Sequence, residues 1–262
     1  MSSTKRLLAL AGAASFGAAL SAAPAPPVRH RWPTPAFWPI NYDFPGLVAA
    51  RDDPAIFFVE DLLDAPTCAA LIAKSAPHLR PARVQTLGGY AADARRTSAD
   101  ARAAYGEVAR IQRTFSELLA MPVSHFEPLK VSRYSEGEYF KQHHDSIARG
   151  CEHGCDYCPT PACNRVVTLF VYLNDVAAGG ETLFPHVAPP LAVRPRRGLG
   201  VVHFPSAMPA RAGDRDARVG HEGAAACDEK WICQQWGWTG PLVREELPDS
   251  MRAAEAWGGP DL

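Results

Sequence analysis

The stretch Arg165-Val-Val-Thr-Leu-Phe-Val-Tyr-Leu173 decides the predicted fold class, because its content of Val, Thr, Phe and Tyr is typical of a β-strand. Five further short segments share this kind of composition and are separated by Gly, Pro and Asp. They lie near residues 126–134, 138–144, 191–194, 199–204 and 230–236. This succession of short strands predicts a core that closes as a β-sandwich or barrel.

Two helices are predicted upstream of these strands. The first runs from about Pro66 to Ser75, is capped by Asp64 and follows a short strand over residues 56–59. The second spans about residues 98–119, and its apolar side chains recur at spacings of three and four: Ala104, Val108, Ile111, Phe115 and Leu118. Helices followed by strands predict an α+β fold, with the helices packed on one side of the sheets.

The chain length of 262 residues suits one domain of about 200 residues with peripheral segments. The net charge of -1, from 27 basic and 28 acidic residues, excludes the strong basic bias of a nucleic-acid-binding protein. We expect a monomer, since there is no room for a further large domain. The predicted organisation is a signal peptide over 1–23, a Pro-rich linker or arm over 24–50, one domain over 51–245 and a C-terminal tail over 246–262.

The N-terminal segment is typical of a secretory signal peptide. Lys5 begins a short basic region, an apolar run extends from Leu7 to Ala23, and small residues end that run. We therefore expect the secretory pathway, meaning the endoplasmic reticulum lumen or export. A transit peptide to an organelle stays open, because the first acidic residue is Asp43. The run is too short and too rich in Ala and Gly for a stable membrane span.

His143 and Asp145 form an H-x-D tripeptide in a strand-like segment. Alternate side chains of a strand point to the same face, so an imidazole and a carboxylate would be adjacent there, with His144 on the opposite face. By itself this tripeptide more often marks two solvent-facing strand residues. With the distant His221 it makes a facial triad, which leaves open metal positions for a chelating co-substrate and O2 and marks non-haem Fe(II) oxygenases.

Lys230 supports this interpretation. It follows His221 by nine residues, in a segment that Trp231, Ile232 and Trp236 mark as mostly buried. A buried lysine needs an anion. The ammonium group is therefore placed to pair with the far carboxylate of a dicarboxylic co-substrate.

Several longer motifs occur in a fixed order along the chain. They are Arg96-Thr-Ser98, Tyr134-Ser-Glu-Gly-Glu-Tyr-Phe-Lys-Gln-His143-His-Asp145, Arg165-Val-Val-Thr168, Tyr172-Leu-Asn-Asp175, Gly179-Gly-Glu-Thr182, Phe184-Pro185, His221-Glu-Gly223 and Lys230-Trp231. In this order they resemble the catalytic domain of the prolyl 4-hydroxylases, the Fe(II)/2-oxoglutarate dioxygenases of the collagen, plant and algal type. The resemblance extends from about Ala55 to Trp238.

The resemblance implies a double-stranded β-helix, or jelly roll, with supporting N-terminal helices. It implies that His143, Asp145 and His221 bind Fe(II), and that L-ascorbate keeps the iron reduced. The implied activity couples oxidative decarboxylation of 2-oxoglutarate by O2 to 4-hydroxylation of proline in a peptide or protein. A related oxygenase acting on another residue or a small molecule stays open, as does a catalytically inactive jelly-roll binding protein.

The resemblance also assigns roles around the metal. Lys230 would bind the distal carboxylate of 2-oxoglutarate, with Tyr134, Thr168 and Trp236 as further co-substrate contacts. Arg165 would lie near the peptide substrate. Lysine at the anchor position favours the collagen and plant-algal group, because lysyl hydroxylases and oxygen-sensing prolyl hydroxylases use arginine there.

Phe140 departs from the resemblance, because the family usually has a tyrosine three residues before the first iron histidine. We treat Phe140 as a position that contacts the substrate. Loss or replacement of a hydroxyl there, with Tyr139 beside it, puts the preferred peptide in question.

A cysteine-rich insert follows the H-x-D tripeptide. Its thiols are Cys151, Cys155, Cys158 and Cys163. Four thiolates could bind a tetrahedral Zn²⁺, or two disulfides could staple the loop, which a signal peptide favours. The chain has seven cysteines, an odd number that forbids complete internal pairing. Cys68 is predicted to be buried and inert, and Cys227 with Cys233 is a candidate pair.

Overall fold

The structure is a computed structural model that describes residues 38–86, 89–146, 164–206, 215–247, 251–252, 256–258 and 261–262. Within these ranges the chain forms two α-helices, α1 (Ala65–Ser75) and α2 (Ala109–Leu118). The strands are β1 (Leu47–Asp52), β2 (Ala55–Val59), β3 (Arg80–Pro81), β4 (Val84–Thr86), β5 (Gly89–Ala91), β6 (Ala99–Arg102), β7 (Lys130–Tyr134), β8 (Phe140–His143), β9 (Arg165–Tyr172), β10 (Thr182–Phe184), β11 (Leu191–Val193), β12 (Gly200–His203), β13 (His221–Gly223) and β14 (Lys230–Trp238).

The strands assemble into two main antiparallel sheets. The larger sheet has the order β1-β2-β12-β9-β14-β7-β6-β3, the smaller one has the order β11-β10-β13-β8, and β4 pairs with β5 in a separate ribbon. Neighbours in each main sheet are mostly distant in sequence, as in a jelly roll. The predicted α+β class with a double-stranded β-helix is therefore confirmed.

The hydrophobic core includes buried side chains from both main sheets. Phe170, Tyr172, Val201 and Ile232 belong to the larger sheet and Phe184 to the smaller one. Burial of each such side chain contributes roughly 1.5–3 kcal/mol to folding. The core thus joins the two sheets beside the cavity described below.

Helix α1 confirms the first predicted helix and its cap. The Asp64 carboxylate accepts a 2.9 Å hydrogen bond from the backbone N–H of Thr67, which satisfies one of the unpaired donors of the first turn. Leu71 and Cys68 are buried on the inner face of the helix. Cys68 is a free thiol, as expected, and burial raises the pKa of this thiol to about 11.

The second predicted helix is wrong over its first part. Helix α2 begins only at Ala109, and the preceding residues 99–102 form β6, which pairs with β7. Ala104 fits the helical spacing but lies ahead of a short 3-10 turn, Tyr105–Glu107. Pairing with a distant strand determines the structure of residues 99–102, and local periodicity contains no information on that pairing.

The six strand-like segments are confirmed as β7, β8, β9, β11, β12 and β14. Strand β1 lies partly in the segment predicted to be a linker or arm, since it begins at Leu47 and pairs with β2. The C-terminal end also contacts the domain: Leu262 donates a backbone hydrogen bond to Glu107.

The predicted signal peptide, residues 24–37 of the arm and the four cysteines of the insert lie outside the described residues. Within the described ranges, no helix has the length and hydrophobicity of a segment that crosses a bilayer. The candidate pair of Cys227 and Cys233 is not formed, because both are free thiols, the first exposed and the second buried on β14.

Candidate metal and co-substrate site

Pairing of β8 with β13 brings two distant histidines together. His143, the last residue of β8, lies directly opposite His221, the first residue of β13, and their ring centroids are 4.4 Å apart. Asp145 follows two residues after the end of β8. One ligand atom from each of these three residues lies within 4.8 Å of the other two, so the predicted triad forms a cluster that can hold a metal ion.

Backbone carbonyls orient both imidazoles. His143 Nδ1 donates to the carbonyl of Lys141 at 2.9 Å, and His221 Nδ1 donates to that of Val219 at 3.2 Å. This leaves each Nε2 unprotonated for a metal, the usual arrangement of histidine ligands. Burial holds the pKa of His143 well below its ordinary value, with the neighbouring His221 contributing, so the ring is neutral at neutral pH.

The Asp145 carboxylate is buried and held in place. Its Oδ2 accepts a 2.9 Å hydrogen bond from Thr168 Oγ1, and its backbone carbonyl accepts one of 3.4 Å from Arg165. Burial opposes its ionisation, but the electrostatic influence of His221, His143 and other nearby groups holds the pKa of this carboxyl well below the usual range. Asp145 is therefore available as an anionic ligand.

Sequence reasoning missed His203, which lies on β12 opposite Thr168. Its ring is fully buried, its Nε2 lies 3.7 Å from Asp145 Oδ2, and its centroid is 4.8 Å from that of His221. Phe184 contacts both rings, with 5.4 Å between centroids in each case. The available signal was a single histidine inside an otherwise apolar strand segment.

Phe140 packs against the first histidine of the triad. The rings of Phe140 and His143 stack at 14°, with centroids 3.5 Å apart, and the Arg96 guanidinium lies 4.8 Å from the centroid of the phenyl ring. Phe140 thus fixes the orientation of His143. Its contact with a substrate stays a prediction.

One cavity lies between the histidines of the triad and Lys230. Its lining consists of Tyr134, Phe140, His143, Phe170, Thr182, His221, Gly223, Lys230, Ile232 and Gln234. Two of the three triad residues lie at this cavity together with the predicted anchor for 2-oxoglutarate. Of the remaining residues, Phe170, Thr182, Ile232 and Gln234 were not identified from the sequence.

Lys230 is 2% exposed and faces this cavity. Its Nζ donates to the carbonyls of Gly180 at 3.0 Å and Ala224 at 3.4 Å, and burial lowers the pKa of its ammonium to about 8, an effect that Glu181 partly counters. In the described part of the chain no carboxylate forms an ion pair with it. A buried ammonium without a protein carboxylate fits the far carboxylate of a dicarboxylic acid.

Thr168 and Trp236, predicted as co-substrate contacts, do not line this cavity. Thr168 binds the Asp145 carboxylate instead. The buried indole of Trp236 lies 4.3 Å from the Arg165 guanidinium and 4.4 Å from Lys130 Nζ. Direct contacts of these residues with 2-oxoglutarate therefore stay predictions.

Arg165 is buried, where the resemblance implied a position near the peptide. Its Nε and Nη2 donate to the two carboxylate oxygens of Glu127 at 2.6 and 3.1 Å. Glu127 is fully buried and also accepts from Arg102 at 3.3 Å and Trp238 at 2.8 Å. Arg165 thus supports Asp145 from within the sheet, and its contact with a peptide stays a prediction.

A family model described as the 2OG-Fe(II) oxygenase superfamily matches residues 129–238, a range that contains the triad, Lys230 and Tyr134. Among curated proteins, the chain is 24% identical over 209 residues to prolyl 4-hydroxylase 13 of Arabidopsis thaliana, covering 70% of this chain and 71% of that protein. It is 32% identical over 133 residues to the prolyl 4-hydroxylase subunit alpha-1 of Gallus gallus. This match covers 49% of this chain and 24% of the longer subunit.

Solved structures support the fold. The viral collagen prolyl hydroxylase of Paramecium Bursaria Chlorella virus-1, in its complex with 2OG, superposes with a TM-score of 0.54 at 24% identity, over 70% of this chain and 95% of that one. A prolyl hydroxylase of Trichoplax adhaerens, in complex with a hypoxia inducible factor peptide, gives 0.50 at 15% identity, over 70% and 82%. Residues 129–238 thus match the 2OG-Fe(II) oxygenase superfamily, and the chain is similar to prolyl 4-hydroxylases of plants and animals.

Proposed function

We propose that this protein hydroxylates C4 of a proline residue in a peptide or protein. The observation that carries the proposal is the cavity shared by the histidines of the triad and the buried Lys230. A dicarboxylic co-substrate bound to Lys230 in this cavity would lie beside a metal held by the triad. When bound, Fe(II) with 2-oxoglutarate and O2 supplies the oxidising power: one oxygen atom enters a C–H bond of the substrate and the other leaves in succinate, with loss of CO2.

His143, Asp145 and His221 would hold the iron. Two neutral imidazoles and one carboxylate are the donor set of a facial triad, which occupies one side of the metal and leaves the other side open. The donor atoms fit this role, because both Nδ1 atoms are engaged with backbone carbonyls while both Nε2 atoms face Asp145, at 3.7 and 3.8 Å from its oxygens.

Lys230 would bind the distal carboxylate of 2-oxoglutarate. The carbonyls of Gly180 and Ala224 hold the ammonium in place, and the apolar side chains of Phe170 and Ile232 line the same cavity. Apolar walls exclude water and so strengthen a charge-assisted hydrogen bond to the ammonium.

Proline as the hydroxylated residue rests on the relatives, which are prolyl 4-hydroxylases from plants and animals. The test is mass spectrometry of a proline-rich peptide incubated with the protein, Fe(II), 2-oxoglutarate and ascorbate. A gain of one oxygen atom on proline is expected. Turnover of 2-oxoglutarate without modified proline would indicate an oxygenase with another substrate, and no turnover would indicate a binding protein without catalysis.

The matched control is His143→Ala, which removes one proposed ligand of the metal. This variant should bind Fe(II) much more weakly and leave the peptide unmodified. Full activity and normal iron binding in this variant would refute the proposed site.

Four further proposals concern the whole protein. L-ascorbate keeps the iron reduced, so its omission should make turnover stop early. The protein enters the secretory pathway, and its signal peptide is removed by cleavage near residue 23. N-terminal sequencing of the mature chain tests this cleavage.

The cysteines of the insert form disulfides, with a bound Zn²⁺ as the alternative. Thiol labelling before and after reduction, together with metal analysis, distinguishes the two. The protein is a monomer, which light scattering tests.

A further inference from the structure

We propose that His203 is a positioning residue for the Asp145 carboxylate of the triad, and that the Nε2–H of His203 donates a hydrogen bond to Asp145 Oδ2. Together with Thr168 it would set the orientation of that carboxylate. The inference rests on the proposed iron site and adds a residue outside the triad.

The first observation is the convergence of two side chains on one oxygen. Strands β9 and β12 are paired so that His203 lies directly opposite Thr168. Thr168 Oγ1 donates to Asp145 Oδ2 at 2.9 Å, and His203 Nε2 lies 3.7 Å from the same oxygen. Neighbouring strands therefore direct two polar groups at a single carboxylate oxygen.

The second observation is the lack of another partner for His203. Its side chain is completely buried, and both ring nitrogens are without a hydrogen bond in the described part of the chain. Burial of an unsatisfied polar group destabilises a fold, and an apolar side chain would avoid that loss. The Asp145 carboxylate, 3.7 Å from Nε2, is the polar group that gives an imidazole a role here.

The tautomer follows from the same geometry. A neutral imidazole has one donor and one acceptor nitrogen. With the proton on Nε2, the donor faces the carboxylate and Nδ1 is the unprotonated atom. The 3.7 Å separation is longer than an ordinary hydrogen bond, and such contacts commonly tighten when a site is loaded.

His203 is not a member of the ligand set. The mutually close ligand atoms belong to His143, Asp145 and His221. His203 therefore acts through Asp145, as second-layer hydrogen bonds do for metal ligands in general.

The test measures Co(II) binding by calorimetry, without co-substrate or turnover. His203→Leu removes the donor and should weaken Co(II) binding about 10–100-fold. His203→Gln keeps an N–H donor and should restore affinity to within a few-fold of the wild type. The matched control is His125→Leu, because His125 is half-buried, bonds to the Trp238 carbonyl and is not part of the metal cluster.

The absorption bands of bound Co(II) give a second readout. Their intensity should be the same in the Gln variant as in the wild type, because the ligand set is unchanged. The amide of a His203→Asn variant is too short to reach Asp145. This variant therefore also removes the donor, and it replaces the Leu variant if that one fails to fold. Each variant is checked by its melting temperature.

Wild-type affinity in the Leu and Asn variants would overturn the inference. So would a Gln variant that binds Co(II) as weakly as the Leu variant, because the donor would then have no role. A wild-type protein that binds no Co(II) would instead refute the iron site, and the inference with it.

Discussion

Lys230 and Tyr134 lie directly opposite each other across β14 and β7, and the Lys230 ammonium is 4.4 Å from the centroid of the Tyr134 ring. A cation over an aromatic face at this distance is stabilised by the ring quadrupole. Backbone carbonyls satisfy two further directions of the ammonium. The cation is thus held at the cavity before any co-substrate binds, which reduces the ordering cost of binding.

Replacement of Lys230 by Met should reduce affinity for 2-oxoglutarate. The cavity keeps its shape but loses the charge, and removal of one partner of a buried charge pair costs about 2–5 kcal/mol of binding free energy. Calorimetric titration of 2-oxoglutarate into Ni(II)-loaded protein measures this loss. The control is Lys74→Met, because Lys74 lies in the last turn of α1 and is not at the cavity. Equal affinities in the Lys230 variant and the wild type would contradict the anchor role.

Binding of 2-oxoglutarate should weaken as the pH rises through about 8. Burial lowers the pKa of Lys230 to about 8 from 10.5, so the ammonium loses its proton in a range where a free lysine keeps it. Lys230→Arg stays charged throughout, so its affinity should change little over the same range. Parallel pH profiles of the wild type and the Arg variant would show that another group controls binding.

The lowered pKa of Lys230 also affects stability. Between about pH 8 and 10.5 the unfolded chain holds this proton and the folded chain does not, so the stability contributed by this group rises with pH there. The Lys230→Met variant should lack this rise in stability. Urea unfolding of the wild type and the variant at about pH 8 and pH 10.5 measures the rise. An identical pH dependence of stability in the two proteins would contradict a lowered pKa of Lys230.

Thr168→Val should weaken metal binding without a large change of shape. The substitution keeps the branched side chain but removes the 2.9 Å hydrogen bond to Asp145 Oδ2. Loss of such a support typically lowers metal affinity about 10–100-fold. Thr168→Ser keeps the hydroxyl and is the matched control. Co(II) titration measures both variants, and an unchanged affinity in the Val variant would rule out the role of the hydroxyl.

Glu127→Gln should destabilise the fold by about 3–5 kcal/mol, because it leaves the charge of Arg165 buried without its counterion. Urea unfolding measures this change. The control is Glu60→Gln, whose carboxylate pairs with Arg196 at the exposed surface and should contribute no more than about 1 kcal/mol.

Acidification provides a second measurement on Glu127. Burial raises the pKa of this carboxyl, but Arg165 and Arg102 outweigh burial and hold the pKa below 4.5. The stability from its charge is present above about pH 4.5 and disappears as the pH falls through the lowered value. The Gln variant should lose less stability than the wild type below pH 4.5. If both proteins lose the same amount of stability on acidification, the charge of Glu127 does not contribute this stability.

Several features of the fold and of the site were predictable because their sequence signals are local. Asp64 precedes an apolar helix and caps it. His143 and Asp145 are separated by one residue and converge, although Asp145 lies just beyond the end of β8. Lys230 was identified by its apolar neighbours and is buried at the cavity.

Other features depend on strand pairing. Residues 99–102 looked helical from their neighbours, yet pairing with β7 makes them a strand. Thr168 and Trp236 were expected at the co-substrate, but the fold directs Thr168 to Asp145 and places Trp236 outside the cavity lining.

The sequence by itself determined the chemical types of the site: two histidines, one aspartate and one lysine, in an order that resembles one family. Only the tertiary structure decided which side chains support them, above all His203 beside Asp145 and Glu127 beside Arg165. The reason is physical. Ligand types and strand periods are encoded by neighbouring residues, whereas register between strands that are distant in sequence depends on the packing of the whole core.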